Sequence, residues 1–106
     1  MQLFQQVDVI LCPAMPTTAF SHNHSPLWTR QIDVDGKKVP YYDQIAWSTV
    51  ATLTGLPATV APIGHDASGL PIGVQIIGGY LNDRTTIAFA GLIEREFGGF
   101  TPPPDF

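Results

Sequence analysis

The segment Gly55-Leu56-Pro57-Ala58-Thr59-Val60-Ala61-Pro62-Ile63-Gly64-His65-Asp66-Ala67-Ser68-Gly69-Leu70-Pro71-Ile72-Gly73-Val74-Gln75-Ile76-Ile77-Gly78 decides the fold of this chain. It holds two short apolar runs, residues 58–63 and 72–77, each entered through Leu-Pro and each closed by glycine. Neither run alternates cleanly between apolar and polar residues. A strand formed there has little to show water on either face, and belongs in a sheet covered on both sides. The polar stretch Gly64 to Gly69 joins the two runs and can close a hairpin, though its length leaves the register open.

Working outward, residues 43–54 read as an amphipathic helix. Asp43 is placed to cap it, Ala46, Val50 and Leu53 follow at helical spacing with Trp47 beside them, and Gly55 closes it. On the other side, Asn82 can cap a helix over 83–97 in which Thr86, Phe89, Ala90, Ile93 and Phe97 share a face, with Gly98 as its stop. Upstream, Ile32-Asp33-Val34-Asp35-Gly36-Lys37-Lys38-Val39 carries Asp-Gly between alternating segments, a strong hairpin signal. Residues 8–12 form a short apolar run stopped by Pro13, which fits a buried strand. Residues 13–26, with prolines at 13, 16 and 26, read as a surface or cleft-lining loop. Residues 1–7 have Leu3, Phe4 and Val7 at helical spacing but no cap before them, and resemble the tail of a helix that begins earlier. The three prolines at 102–104 exclude a helix from the end of the chain, so 99–106 is expected to run extended.

At 106 residues the chain is at most one domain. Only 13% of it is charged while 44% is hydrophobic, which leaves little charge to coat a complete surface: either this is a compact domain with a polar but uncharged surface, or part of the surface expects a partner. A formal net charge of -4, with five Lys and Arg in all, offers no basic stripe for a phosphate backbone, so nucleic acid is not an expected partner. No apolar run approaches the roughly 20 residues that span a bilayer. The single Cys12 suits a reducing compartment, and the cytoplasm is the expected location.

The sequence carries few groups arranged for chemistry. His22-Asn23-His24 has no third ligand at convincing spacing, with His65-Asp66 as a remote candidate, so no metal site and no cofactor are expected. Cys12 follows apolar residues, where a thiolate is disfavoured. Ser21, Ser25, Ser48 and Ser68 lack a nucleophile elbow and an adjacent base. Lys37 and Lys38 lie on the exposed hairpin, and the pairs Asp33 with Asp35 and Glu94 with Glu96 sit on elements that face water. Gly78-Gly79 precedes a helix without the further residues of a phosphate loop.

The motifs Gly55-Leu56-Pro57-Ala58-Thr59, Ala61-Pro62-Ile63-Gly64 and Gly69-Leu70-Pro71-Ile72-Gly73-Val74-Gln75-Ile76-Ile77-Gly78, followed by Asp83-Arg84-Thr85, occur together and in order. With Val7-Asp8-Val9-Ile10-Leu11, Pro13-Ala14-Met15-Pro16 and Ala19-Phe20 ahead of them, the chain resembles the C-terminal end of amidase signature enzymes. Only residues 21–39 match loosely.

The resemblance implies an α/β fold, with the whole of 1–106 forming a C-terminal part of a mixed sheet sandwiched by helices. In that fold, residues 20–40 are a loop and hairpin excursion. It also implies membership of enzymes that hydrolyse carboxylic amides through a serine, a second cis-bonded serine and a lysine. No position here matches either serine, the lysine or the glycine-rich oxyanion loop, so no catalytic residue is carried over, and the chain is expected to be inactive alone. Pro13, Met15, Trp47, Ile76 and Ile77 are the candidate pocket-facing residues, with a core role as the competing reading for Trp47 and the two isoleucines. The expected partners are a small-molecule amide in the complete enzyme and either an N-terminal catalytic portion or a second copy of the chain. The alternative is a free-standing interaction module that self-associates or complements a separate catalytic half.

Overall fold

The computed structural model describes residues 2–105. Its centre is a three-stranded antiparallel sheet in the order β1-β5-β4, formed by β1 (Val9–Pro13), β4 (Ala58–His65) and β5 (Pro71–Gly78). The two runs of the opening segment pair as an antiparallel hairpin, with Ala58 opposite Ile77, Ala61 opposite Val74 and His65 opposite Pro71. The register shifts between Pro62 and Gly64, so Ile63 is the extra residue of a bulge. Both strands outrun their apolar cores, because the bulge lets pairing continue to His65 and narrows the connecting loop to residues 66–70. On its other edge β5 pairs with β1, with Val9 opposite Gly78 and Pro13 opposite Val74.

Both faces of β5 are buried over residues 75–78. Ile76 and Ile77 point to opposite faces, and both are fully buried. Complete burial of such side chains contributes about 1.5–3 kcal/mol each relative to exposure. On one face α2 (Asp83–Phe97) packs Ile93, Phe89 and Ala90 against Ile76, Ala61, Val74 and Val9. Close approach at its first turn depends on Gly78, where a Cβ would lie 2.7 Å from Thr86 Cγ2 and 3.4 Å from the Asn82 carbonyl oxygen. Asn82 occupies the N-cap position as expected, but its side chain makes no capping bond. Phe97, assigned by periodicity to the buried face, is 60% exposed at the last turn, where it lines an open apolar hollow with Leu11, Ile63 and Val74.

The opposite face meets α1 (Ala46–Thr54), which differs from the sequence expectation in start and in rotation. Asp43 does not cap it. Pro40 leads into a 3₁₀ turn, Tyr41–Ile45, and the Asp43 carbonyl, not its carboxylate, accepts the Ala46 amide at the junction. Ala51 is the buried residue of the helix, while Trp47 (40% exposed), Val50 (42%) and Leu53 (81%) lie outward. The anchor that sets this rotation is Gln75 on β5, whose Nε2 donates to the Trp47 carbonyl at 3.0 Å and to Cys12 Sγ at 3.1 Å. One amide group thus ties three elements together from a position only 5% exposed. Gly55 ends α1 in the left-handed conformation as expected.

The Asp-Gly hairpin forms as a separate two-stranded ribbon, β2 (Gln31–Val34) with β3 (Lys37–Pro40). Asp35 and Gly36 both have positive φ, 52° and 78°, as a type I′ turn demands. The start of the chain is a 3₁₀ turn, Gln2–Gln5, not the end of an α-helix. Met1 and Phe106, the ends of the expected helix tail and extended tail, lie outside the described residues. Residues 99–103 are irregular, and a turn follows with Asp105 at φ 67°.

Candidate functional site

Beyond Pro13 the chain leaves the sheet and curls back over it. Residues Ala14 to Ala19 form one wall of an open groove of about 410 Å³, and Val60, Pro71, Ile72 and Gly73 form the other. Gly73 leaves room for the Val60 side chain on the neighbouring strand, since a Cβ there would lie 2.9 Å from Val60 Cγ1. The groove is apolar at its floor and carries the threonines 17 and 18 on its wall.

The wall is held by Asp66. Thr18 Oγ1 donates to Asp66 Oδ2 at 2.8 Å across 48 residues of sequence. The other carboxylate oxygen accepts the amides of Ser68 at 2.8 Å and Leu70 at 2.9 Å. The Leu70 amide first, then the Thr18 hydroxyl and the amides of Ser68 and Gly69, hold the Asp66 carboxyl below its ordinary 3.8, against the upward push of partial burial.

Of the five residues picked out from the sequence, the structure brings Met15 to this groove. Pro13 ends β1 opposite Val74 and is exposed. Trp47 stands on α1, partly exposed, with its carbonyl taken by Gln75. Ile76 and Ile77 have no exposed surface, and their side chains are committed to the packing on the two faces of β5. Sequence reasoning did not single out Val60, Ile72 and Gly73 as groove residues, since nothing local says which side of β5 the proline-rich loop will cross. From sequence, Asp66 stands out only beside His65 as a remote metal-ligand candidate. Its position two residues before Ser68 signals an Asx-type turn, but no sequence signal points to Thr18.

The remaining polar candidates stand apart from the groove. His22 and His24 are exposed with ring centroids 6.2 Å apart. Among the described residues, no group of three or more His, Cys, Asp or Glu gathers as a metal site. Lys38 pairs with Asp33 at 2.6 Å on the exposed hairpin, an ion pair contributing about 0–1 kcal/mol. Ser48 Oγ donates to the Ile45 carbonyl at the start of α1. Cys12 Sγ accepts from Gln75, and the thiol is partly buried. Among the described residues, no helix is long and apolar enough to cross a membrane.

Comparison with known proteins supplies what the side chains alone do not. Residues 1–87 match the Amidase family. The chain is 39% identical over 98 residues to human fatty-acid amide hydrolase 2, covering 92% of the chain and 16% of that protein. It is 37% identical over 101 residues to a glutamyl-tRNA(Gln) amidotransferase subunit of Zymomonas mobilis, covering 95% of the chain and 18% of that protein. A solved amidase crystal structure superposes with a TM-score of 0.73 at 26% identity, over 90% of the chain and 21% of the amidase. A structure from a vestigial complex bearing on the origins of an s-triazine catabolic enzyme gives 0.72 at 26% identity, over 92% of the chain and 21% of its own. The chain therefore spans a fifth or less of the length of the curated relatives it matches. With the family matched over most of the sequence and the same arrangement of strands and helices in solved amidases, the chain belongs to the amidase family.

Proposed function

We propose that this chain is the C-terminal, sheet-closing portion of an amidase, an enzyme that hydrolyses a carboxylic amide to the acid and ammonia or an amine. In this reading the serine, cis-bonded serine and lysine that perform the chemistry lie in the rest of the enzyme, and the chain alone is inactive. The observation that carries it is coverage: over nine tenths of the chain aligns with less than a fifth of human fatty-acid amide hydrolase 2. The side chains agree. Among the described residues no hydrogen bond joins a serine hydroxyl to a lysine or histidine, which is in keeping with a nucleophile and base that lie elsewhere. The Met15 groove is the part of the chain that faces substrate, and the substrate is a small amide met in the context of the whole enzyme. The cytoplasm is the setting.

A second reading is favoured by the outward row Trp47, Val50 and Leu53 on α1. An apolar strip of this kind meets another surface, either the rest of the same enzyme or a second copy acting as a non-catalytic module. An electrophilic phosphonate that labels activated serines tests the leading reading. The purified chain should show no labelling by intact mass. Stoichiometric labelling lost on mutation of one serine would place a nucleophile in this chain and overturn it.

A further inference from the structure

We infer that Asp66 is a positioning residue which, through Thr18, clamps the proline-rich wall of the groove in place. The inference rests on reading that groove as substrate-facing, but the clamp is argued from geometry alone. The chain leaves the sheet at Pro13, the last residue of β1 paired with β5. From there the chain runs on past Gly73, and residues 14–19 form one wall of the groove. Four residues further on, the Thr18 hydroxyl reaches the Asp66 carboxylate at 2.8 Å.

The segment is thus held at one end by the strand pairing of Pro13 with Val74 and pinned at the other by a charge-assisted hydrogen bond. Asp66 is itself rigid, because its second oxygen takes the Ser68 and Leu70 amides and its main chain exchanges bonds with Leu70 and Gly69. The clamp therefore joins the wall to the tip of the β4–β5 hairpin, which also forms the groove's far side through Pro71 and Ile72. Moving either moves the opening between them.

Hydrogen–deuterium exchange on the full chain tests the clamp. Asp66→Asn keeps an acceptor for the hairpin amides while removing the charge, and Thr18→Val removes the hydroxyl while keeping the shape. Thr18→Val should speed exchange over residues 14–19 by about tenfold, the scale on which one charge-assisted hydrogen bond shifts a local opening equilibrium, and Asp66→Asn, whose Nδ2 can still donate to the Thr18 hydroxyl without the charge, should speed it by less. Exchange over 72–78 should stay unchanged, Thr18→Ser should restore protection, and the double variant should be no looser than the looser single. Unchanged exchange over 14–19, equal loosening across the sheet, failure of Thr18→Ser to restore, or fully additive singles would each overturn the clamp. In a complete amidase carrying this segment, the same variants should raise KM for the amide more than they lower kcat. A loosened wall with KM unmoved would leave the clamp standing and overturn the substrate-facing reading of the groove.

Discussion

Thr86 lies fully buried, with its Oγ1 2.8 Å from the Asp83 carbonyl and 2.8 Å from Thr59 Oγ1. A hydroxyl has one proton. Thr86 gives its own to Asp83, so Thr59 must donate to Thr86, and the pair ties β4 to the first turn of α2. Thr86→Val should lower stability by about 1–3 kcal/mol in denaturant titration, since it orphans the Thr59 hydroxyl, and adding Thr59→Val should recover part of the loss. Asp66 gives a prediction in pH. Its folded-state pKa lies below the ordinary value, so the unfolded chain takes up the proton first as pH falls. The stability it contributes is complete above about pH 5 and fades as pH drops through 4 and below. Asp66→Asn should flatten that part of the stability curve, and an unchanged acid limb would contradict it.

The elements were legible wherever the signal was local. The Asp-Gly turn, the glycine at the end of α1 and the two apolar runs are written in neighbouring residues, and all three appear as read. The rotation of α1 was not legible. Its apolar periodicity assigns Ala46, Val50 and Leu53 inward, yet Gln75, on a strand 28 residues downstream of Trp47, holds the helix the other way. The groove escaped the sequence for the same reason, since its two walls meet through Thr18 and Asp66, 48 residues apart. Gln75→Leu should release α1, speeding amide exchange over 46–54 while α2 stays protected; equal loosening of both helices would contradict the anchor. Gly78→Ala should cost about 1–3 kcal/mol by pushing Thr86 away from the sheet, read as a lowered denaturation midpoint.

Taken as a whole, the molecule covers the central strand well and much else poorly. Leu53, Trp28 and Phe100 are each more than three-quarters exposed, and the outer edges of β1 and β4 have no strand beside them among the described residues. These open edges and exposed apolar side chains suit contact with further protein, and the curated relatives are more than five times as long as the stretch each shares with this chain. The isolated chain should therefore bind an apolar fluorescent dye or self-associate in sedimentation; a monodisperse monomer that binds no dye would count against an uncovered face. The most direct test of the central claim is ammonia release from simple aliphatic and aromatic carboxamides by the purified, folded 106-residue chain. The expected result is no release above the buffer control. Sustained turnover that disappears when a single serine is replaced would show that the chain carries its own catalytic centre and would contradict the account.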